Sequence, residues 1–250
     1  METKITVPNE CSITKVVSDH EPIARAAVET YRRTFDKLLV SVRLLGSAAR
    51  GESALGSSDI NFVGLASMSP DAYQRDTILV AARKLTLAYR CVSTVDLETE
   101  IKGRVSPSRE FIFRTDSVCI WGVDDYTAAD VTISNTALSK LTTPDFNKLM
   151  AGYRQQLRSP MNMEELSRFG RSVGKDMLKC FRKYLVLRLG VYRKSAADIH
   201  NQLLMYFPQK KETFNCLLQL YEQPVVRRDE LLQILKMAQA SYESFEQESA

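Results

Sequence analysis

The chain has 250 residues, 44% of them hydrophobic and 26% charged, with 10 Gly and 8 Pro. That composition excludes a disordered or collagen-like polymer and supplies enough apolar material for one large domain or two moderate ones. The formal charge of +4 suits a phosphate-bearing small ligand or weak nucleic-acid contact and by itself decides neither, and a nucleic-acid partner is not expected. No stretch approaches the roughly 20 consecutive apolar residues that span a bilayer, and METKITVPNE lacks a secretory start, so no membrane association and a cytoplasmic location are expected. Cys11, Cys91, Cys119, Cys180 and Cys216 are an odd, scattered set without a C-x-x-C pair, which predicts reduced thiols rather than disulfides or a zinc site.

In chain order, a helix is predicted from near Asp19, with Pro22 in its first turn. Short β-branched or aliphatic runs follow at 40–47, 60–66, 91–98 and 117–123, with a second helix from about Ser69 and Pro70 through Ala88. After Leu141 the strand signals stop. Four or five helices are then punctuated by Ser159-Pro160, Gly190, Pro208 and Pro224. The reading is an α/β (α+β) domain with a mixed sheet at 1–143, followed by an all-α helical bundle at 144–250.

The helix predicted from about Met163 to Leu189 carries Leu166, Phe169, Val173, Met177, Cys180, Phe181 and Tyr184 on one face. Arg168, Arg171, Lys175, Lys179 and Arg182 step along the other. That basic stripe reads either as a solvated face or as a phosphate-facing one.

The segment Leu44–Val63, LLGSAARGESALGSSDINFV, is the most informative. A strand delivers the chain into Gly46-Ser47, where the missing Cβ and a following helical turn let backbone amides and a hydroxyl approach an anion. On the next strand, period-two geometry puts Asp59 and Asn61 on one face, where two oxygen donors can grip a hard cation. The later strand Val95-Asp96-Leu97-Glu98 offers a third carboxylate, with Asp96 favoured over Glu98.

The ordered set of Gly46-Ser47, Ser58-Asp59-Ile60-Asn61 and Val95-Asp96-Leu97 resembles the nucleotidyltransferase superfamily that includes DNA polymerase beta and the aminoglycoside nucleotidyltransferases. An α/β half followed by helices is also the layout of the antibiotic-modifying members. Gly174-Lys175-Asp176-Met177 through Leu189-Gly190-Val191-Tyr192 looks like the long helix and turn of their C-terminal domain, and Tyr206-Phe207-Pro208 like a helix end there.

What the resemblance implies is Mg²⁺-dependent transfer of a nucleoside monophosphate, AMP from ATP, to a hydroxyl on a small-molecule or macromolecular acceptor. Gly46 and Ser47 would hold the nucleotide phosphates, while Asp59, Asn61 and Asp96 would ligate Mg²⁺. Asp96 would also help deprotonate the acceptor, with Glu98 the neighbouring carboxylate. Lys175 and Lys179, if they face a cleft between the halves, would meet the triphosphate.

The family's second strand reads D-x-D or D-x-E, whereas this chain reads Asp59-Ile60-Asn61. A carboxylate can bridge two cations about 3.5 to 4 Å apart; an amide offers one neutral oxygen and cannot. Three readings stand: a working transferase, a nucleotide-binding regulatory homologue without turnover, and an RNA-cleaving helical domain built on Arg193 to His200. Packing or capping is the plainer role for His200, as is a surface position for His20. Arg50 either reaches a phosphate or pairs with Glu52. Trp121 and Tyr126 either flank an acceptor pocket or close a core, and Asp124 and Asp125 are read as loop carboxylates.

Overall fold

The computed structural model describes residues 2–53, 56, 58–126, 129–224 and 227–248, so Ala54, Leu55 and Ser57 of the Leu44–Val63 motif lie outside the described residues. The chain runs β1 (Lys4–Val7), α1 (Glu21–Phe35), β2 (Leu39–Leu45), α2 (Gly46–Arg50), β3 (Asp59–Ala66), α3 (Ala72–Ala88), β4 (Thr94–Ile101), α4 (Pro107–Thr115), β5 (Ser117–Gly122) and β6 (Val131–Ser134). Helices α5 (Asn135–Thr142), α6 (Phe146–Gln156), α7 (Met163–Leu189), α8 (Ala196–Tyr206), α9 (Lys211–Glu222) and α10 (Arg228–Gln247) follow.

Two compact units result, Thr6–Thr132 on the one hand and Met1–Ile5 with Ile133–Ala250 on the other. The division precedes the predicted boundary at 143 because α5 packs on α7 and so belongs to the helical unit.

In the first unit the four-stranded sheet has the order β4-β3-β2-β5. The β2–β3 and β2–β5 ladders are antiparallel and the β3–β4 ladder is parallel, which makes the sheet mixed, as predicted. Side chains alternate across it. Val42, Leu44, Ile60, Phe62 and Val95 are buried in one cluster with Ile23, Ala27 and Tyr31 of α1 and Ile78 of α3. The Tyr31 hydroxyl donates to the carbonyls of Phe62 and Glu98 at 3.2 and 2.6 Å, so this face is satisfied as well as apolar. The opposite face carries Leu45 and Val63, which pack with Phe113 of α4 in a smaller cluster. That second face is the one that presents the predicted acids.

The helical unit is organised around α7. Asn162 and Glu165 form a reciprocal capping box at its start, and Gly190 in the left-handed region ends it, so its 27 residues are bounded by strong local signals. The predicted apolar face is in the core: Phe181 meets Phe214 and Phe245 at ring distances of 5.3 and 6.0 Å, and Tyr184 stacks on Phe245 at 4.4 Å. Burial continues round to Arg182, whose guanidinium donates to the carbonyls of Thr142 and Arg193 and lies 4.6 Å from the Tyr192 ring. The basic stripe is therefore not a uniformly solvated face. No helix among the described residues is long and apolar enough to cross a membrane.

Candidate functional site

β2 is almost wholly buried, as its run of Leu and Val requires, and it ends where Gly46 turns the chain out of the strand at φ 66. A Cβ at Gly46 would meet nothing within 4 Å, so the requirement for glycine there comes from backbone conformation and not from crowding. Helix α2 is a single short turn closed by Gly51 at φ 75. The Gly46 N–H already donates to the Asp116 carbonyl at 3.0 Å.

This turn is held from below. The nearly buried Arg50 guanidinium reaches the Asp116 carboxylate through Nη1 and Glu52 through Nε, the latter at 2.8 Å. Burial works against the Arg50 charge, but the two carboxylates more than offset it and hold the guanidinium firmly protonated. Arg50 thus has two partners, one of them the predicted Glu52.

The register of β3 and β4 places the predicted acids. Asp59 is opposite Thr94, Asn61 opposite Asp96 and Val63 opposite Glu98, while Leu45 of β2 faces Asn61 from the other side. Directly paired residues share a face on strands about 4.8 Å apart, so Asp59, Asn61 and Asp96 come together at the strand end where Gly46 begins its turn. Ser93 Oγ donates to Asp59 Oδ1 at 2.6 Å. Glu98 lies on the same face one pair further along, where it is ion-paired with Arg109 of α4, which also reaches Glu100 at 3.2 Å.

Arg43 shares the face and is fully buried. It donates to Ser117 Oγ at 2.8 Å, to the Phe113 carbonyl at 3.1 Å and to the Asp124 carboxylate. One side chain thereby ties β5, α4 and the segment after β5 to the floor of the site.

Among the described residues no three His, Cys, Asp or Glu side chains are grouped so as to hold a metal ion. The face shared by β3 and β4 offers two carboxylates, Asp59 and Asp96, and one amide oxygen, that of Asn61. Such a set fits a single hard cation whose remaining positions are filled by a ligand and water, and does not fit two.

Lys175 and Lys179 lie on α7 of the helical unit. Lys179 Nζ is 3.4 Å from Asp176 Oδ1, which in turn belongs to a carboxylate that accepts from the Tyr153 hydroxyl at 2.8 Å. Burial draws the Lys179 ammonium below its ordinary range, against the pull of Asp176.

Several lesser expectations resolve. His20 is fully buried, correcting the surface position: it ends a 3-10 turn at Ser18–His20 and its ring packs against the distant Ser53. Its Nδ1 is 3.3 Å from Ser53 Oγ and burial lowers its pKa against the opposing charge of Asp19. His200 is buried with Nε2 2.9 Å from Asn215 Oδ1, the packing role rather than that of an exposed RNA-cleaving base. Tyr126 closes the small core edge-on to Phe113 at 5.1 Å, and Trp121 packs at the margin of the larger one. Asp124 pairs with Arg43 and Asp125 with Lys102. Arg43, Arg109 and Asp116 were not singled out by sequence, although a lone Arg within the apolar strand VSVRLL was a visible signal.

The sequence matches no protein-family model and no curated protein. Its structure is similar to that of the spectinomycin adenyltransferase AAD(9) from Enterococcus faecialis, solved with ATP and spectinomycin. The TM-score is 0.55 at 9% identity, covering 86% of this chain and 98% of that one. A toxin-antitoxin structure with AMP-PNP aligns over 43% of this chain and 75% of its own, at 22% identity and a TM-score of 0.31, too low to add to the comparison. The architecture, a mixed-sheet domain and a helical domain, is therefore the fold seen in that adenyltransferase structure, and it agrees with the fold expected from the sequence.

Proposed function

We propose that the chain binds ATP through one Mg²⁺ ion on the Asp59, Asn61 and Asp96 face and transfers AMP to an acceptor hydroxyl with release of pyrophosphate. The observation that carries the reading is the β3–β4 register, which pairs Asn61 with Asp96 and sets Asp59 on the same face beside the Gly46-Ser47 turn. Asp59 and Asp96 would hold the ion as anionic ligands, with the Asn61 amide oxygen as a neutral third. When bound, Mg²⁺ supplies charge neutralisation at the phosphates.

The chain's own groups then have distinct tasks. The Gly46-Ser47 backbone admits the phosphates closely, with Asp116 and Arg50 fixing its path. Asp96 orients the acceptor hydroxyl and accepts its proton, a role that a carboxylate within hydrogen-bond reach can fill. Glu98, placed in the catalytic set by sequence, is better suited to positioning α4 through Arg109. The neighbour's spectinomycin makes aminocyclitols the first acceptors to try.

The test is ATP labelled at the α-phosphate: label should move to the acceptor and pyrophosphate should appear, and Asp59→Asn should abolish both. The second reading, a nucleotide-binding protein without turnover, is favoured by the amide at position 61. Tight ATP binding with no pyrophosphate release over a broad acceptor set would establish it.

A further inference from the structure

Helix α3 leaves apolar side chains exposed among the described residues, with Leu79, 51% exposed, flanking a more regular row. Tyr73, Val80 and Leu87 are 78%, 46% and 81% exposed, and their seven-residue spacing aligns them on one stripe of the helix. A shallow groove of about 360 Å³ runs along this stripe, lined by Tyr73, Asp76, Thr77, Val80, Ala81 and Lys84. Single exposed apolar residues are ordinary; an ordered row of three on a 17-residue helix marks an interaction surface.

The pattern is symmetric about its middle member. Counting from Val80, Tyr73 lies seven residues before and Leu87 seven after, while Asp76 lies four before and Lys84 four after. If a second α3 is laid antiparallel on the first with the two-fold axis at Val80, each residue 80 − k comes level with 80 + k of the second copy. Tyr73 then meets Leu87, Val80 meets its own counterpart, and Asp76 comes level with Lys84 of the second copy, one residue from its Arg83. Asp76, Arg83 and Lys84 have no ion-pair partner among the described residues, so their charges are available for such a pairing. No like charges are brought together. The face is complementary to itself in both shape period and charge.

The geometry points to a homodimer formed by antiparallel packing of α3 on α3 of a second copy, an isologous contact. One pair of helices is a smaller contact than the roughly 1,200 to 2,000 Å² of stable specific interfaces, so the dimer is weak and concentration-dependent. This inference is independent of the nucleotide site and is tested without ATP.

Sedimentation velocity over a concentration series on the full chain is the measurement. The wild type should move from monomer toward dimer as concentration rises, and Val80→Glu should remain monomeric. Asp76→Lys, and separately the pair Arg83→Glu with Lys84→Glu, should each weaken association at least tenfold, whereas all three changes together should restore it. The charge variants are at exposed positions, so circular dichroism should show them folded even if Val80→Glu is not. A monomer at every concentration, or single-sided charge reversals that leave association unchanged, would overturn the proposal. A triple variant no tighter than either partial one would do the same.

Discussion

Asn61 and Asp96 stand directly opposite each other in the parallel ladder between β3 and β4, with Asp59 two residues before Asn61 on the same face. The pairing makes position 61 the centre of the donor set, so its side chain decides how much negative charge the set carries.

Asn61→Asp should therefore strengthen Mg²⁺-dependent ATP binding by about tenfold or more, because ligand charge count is a principal determinant of cation affinity. Isothermal titration with and without Mg²⁺ reads this directly. Equal affinities in the two proteins, with and without the metal, would remove the metal site from this face.

Arg50 is expected to matter out of proportion to its distance from any reacting atom. Replacing it with Ala leaves Asp116 and Glu52 without their shared cation and frees the support under Gly46. The loss should be roughly 1 to 3 kcal/mol in urea denaturation, since a buried guanidinium and its hydrogen bonds are removed while the partly exposed Asp116 and Glu52 are rehydrated. Arg50→Lys should recover only part, as an ammonium cannot reach both carboxylates in the planar geometry of a guanidinium.

Two glycine substitutions should behave differently for different reasons. Gly46→Ala meets open space and only strains the left-handed backbone, costing about 1 to 2 kcal/mol, with nucleotide affinity as the more sensitive readout. At Gly174 in α7 an added Cβ would lie 2.5 Å from the Leu217 carbonyl oxygen and 2.8 Å from the Tyr221 backbone nitrogen. Overpacking of about 1 to 3 kcal/mol outweighs the roughly 1 kcal/mol that Ala gains over Gly in a helix, so Gly174→Ala should lower the urea midpoint.

Burial, reinforced by Asp176, pushes the Cys180 thiol up to about 12 from its ordinary 9.0. A pKa raised on folding favours the protonated form in the native state. Its contribution is thus fully present below pH 9 and is lost as pH rises from there through about 12. Cys180 should resist iodoacetamide in the native protein at pH 8 and react on unfolding, while the half-buried Cys11, Cys91, Cys119 and Cys216 react earlier. Mass-resolved alkylation distinguishes them; rapid native labelling of Cys180 would contradict the buried placement.

Where local signals were strong, sequence sufficed. The β-branched runs found the four strands of the main sheet, and Pro160 and Gly190 bracket α7 close to its observed ends. Helix α4 was missed because Phe111-Ile112-Phe113 is a continuous apolar run that masks helical period, although Ser106 and Pro107 form a cap signal. β1 and β6 are four residues each and pair across more than a hundred residues, a relationship with no local trace. Alternation placed Asp59 with Asn61, but only the inter-strand register adds Asp96. The Glu98–Arg109 pair and the burial of His20 depend on tertiary neighbours that spacing cannot supply.

β4 is an outermost strand of its sheet, and three of its side chains, Asp96, Glu98 and Glu100, are acidic and share a face. An open strand border invites another chain to add itself, and charge along the border is a common guard against this. The same carboxylates proposed to attract a cation therefore also keep strangers from zipping onto the sheet. Amide replacements made across this row to study catalysis should be accompanied by a check for turbidity, since they strip away a solubility device along with the chemistry.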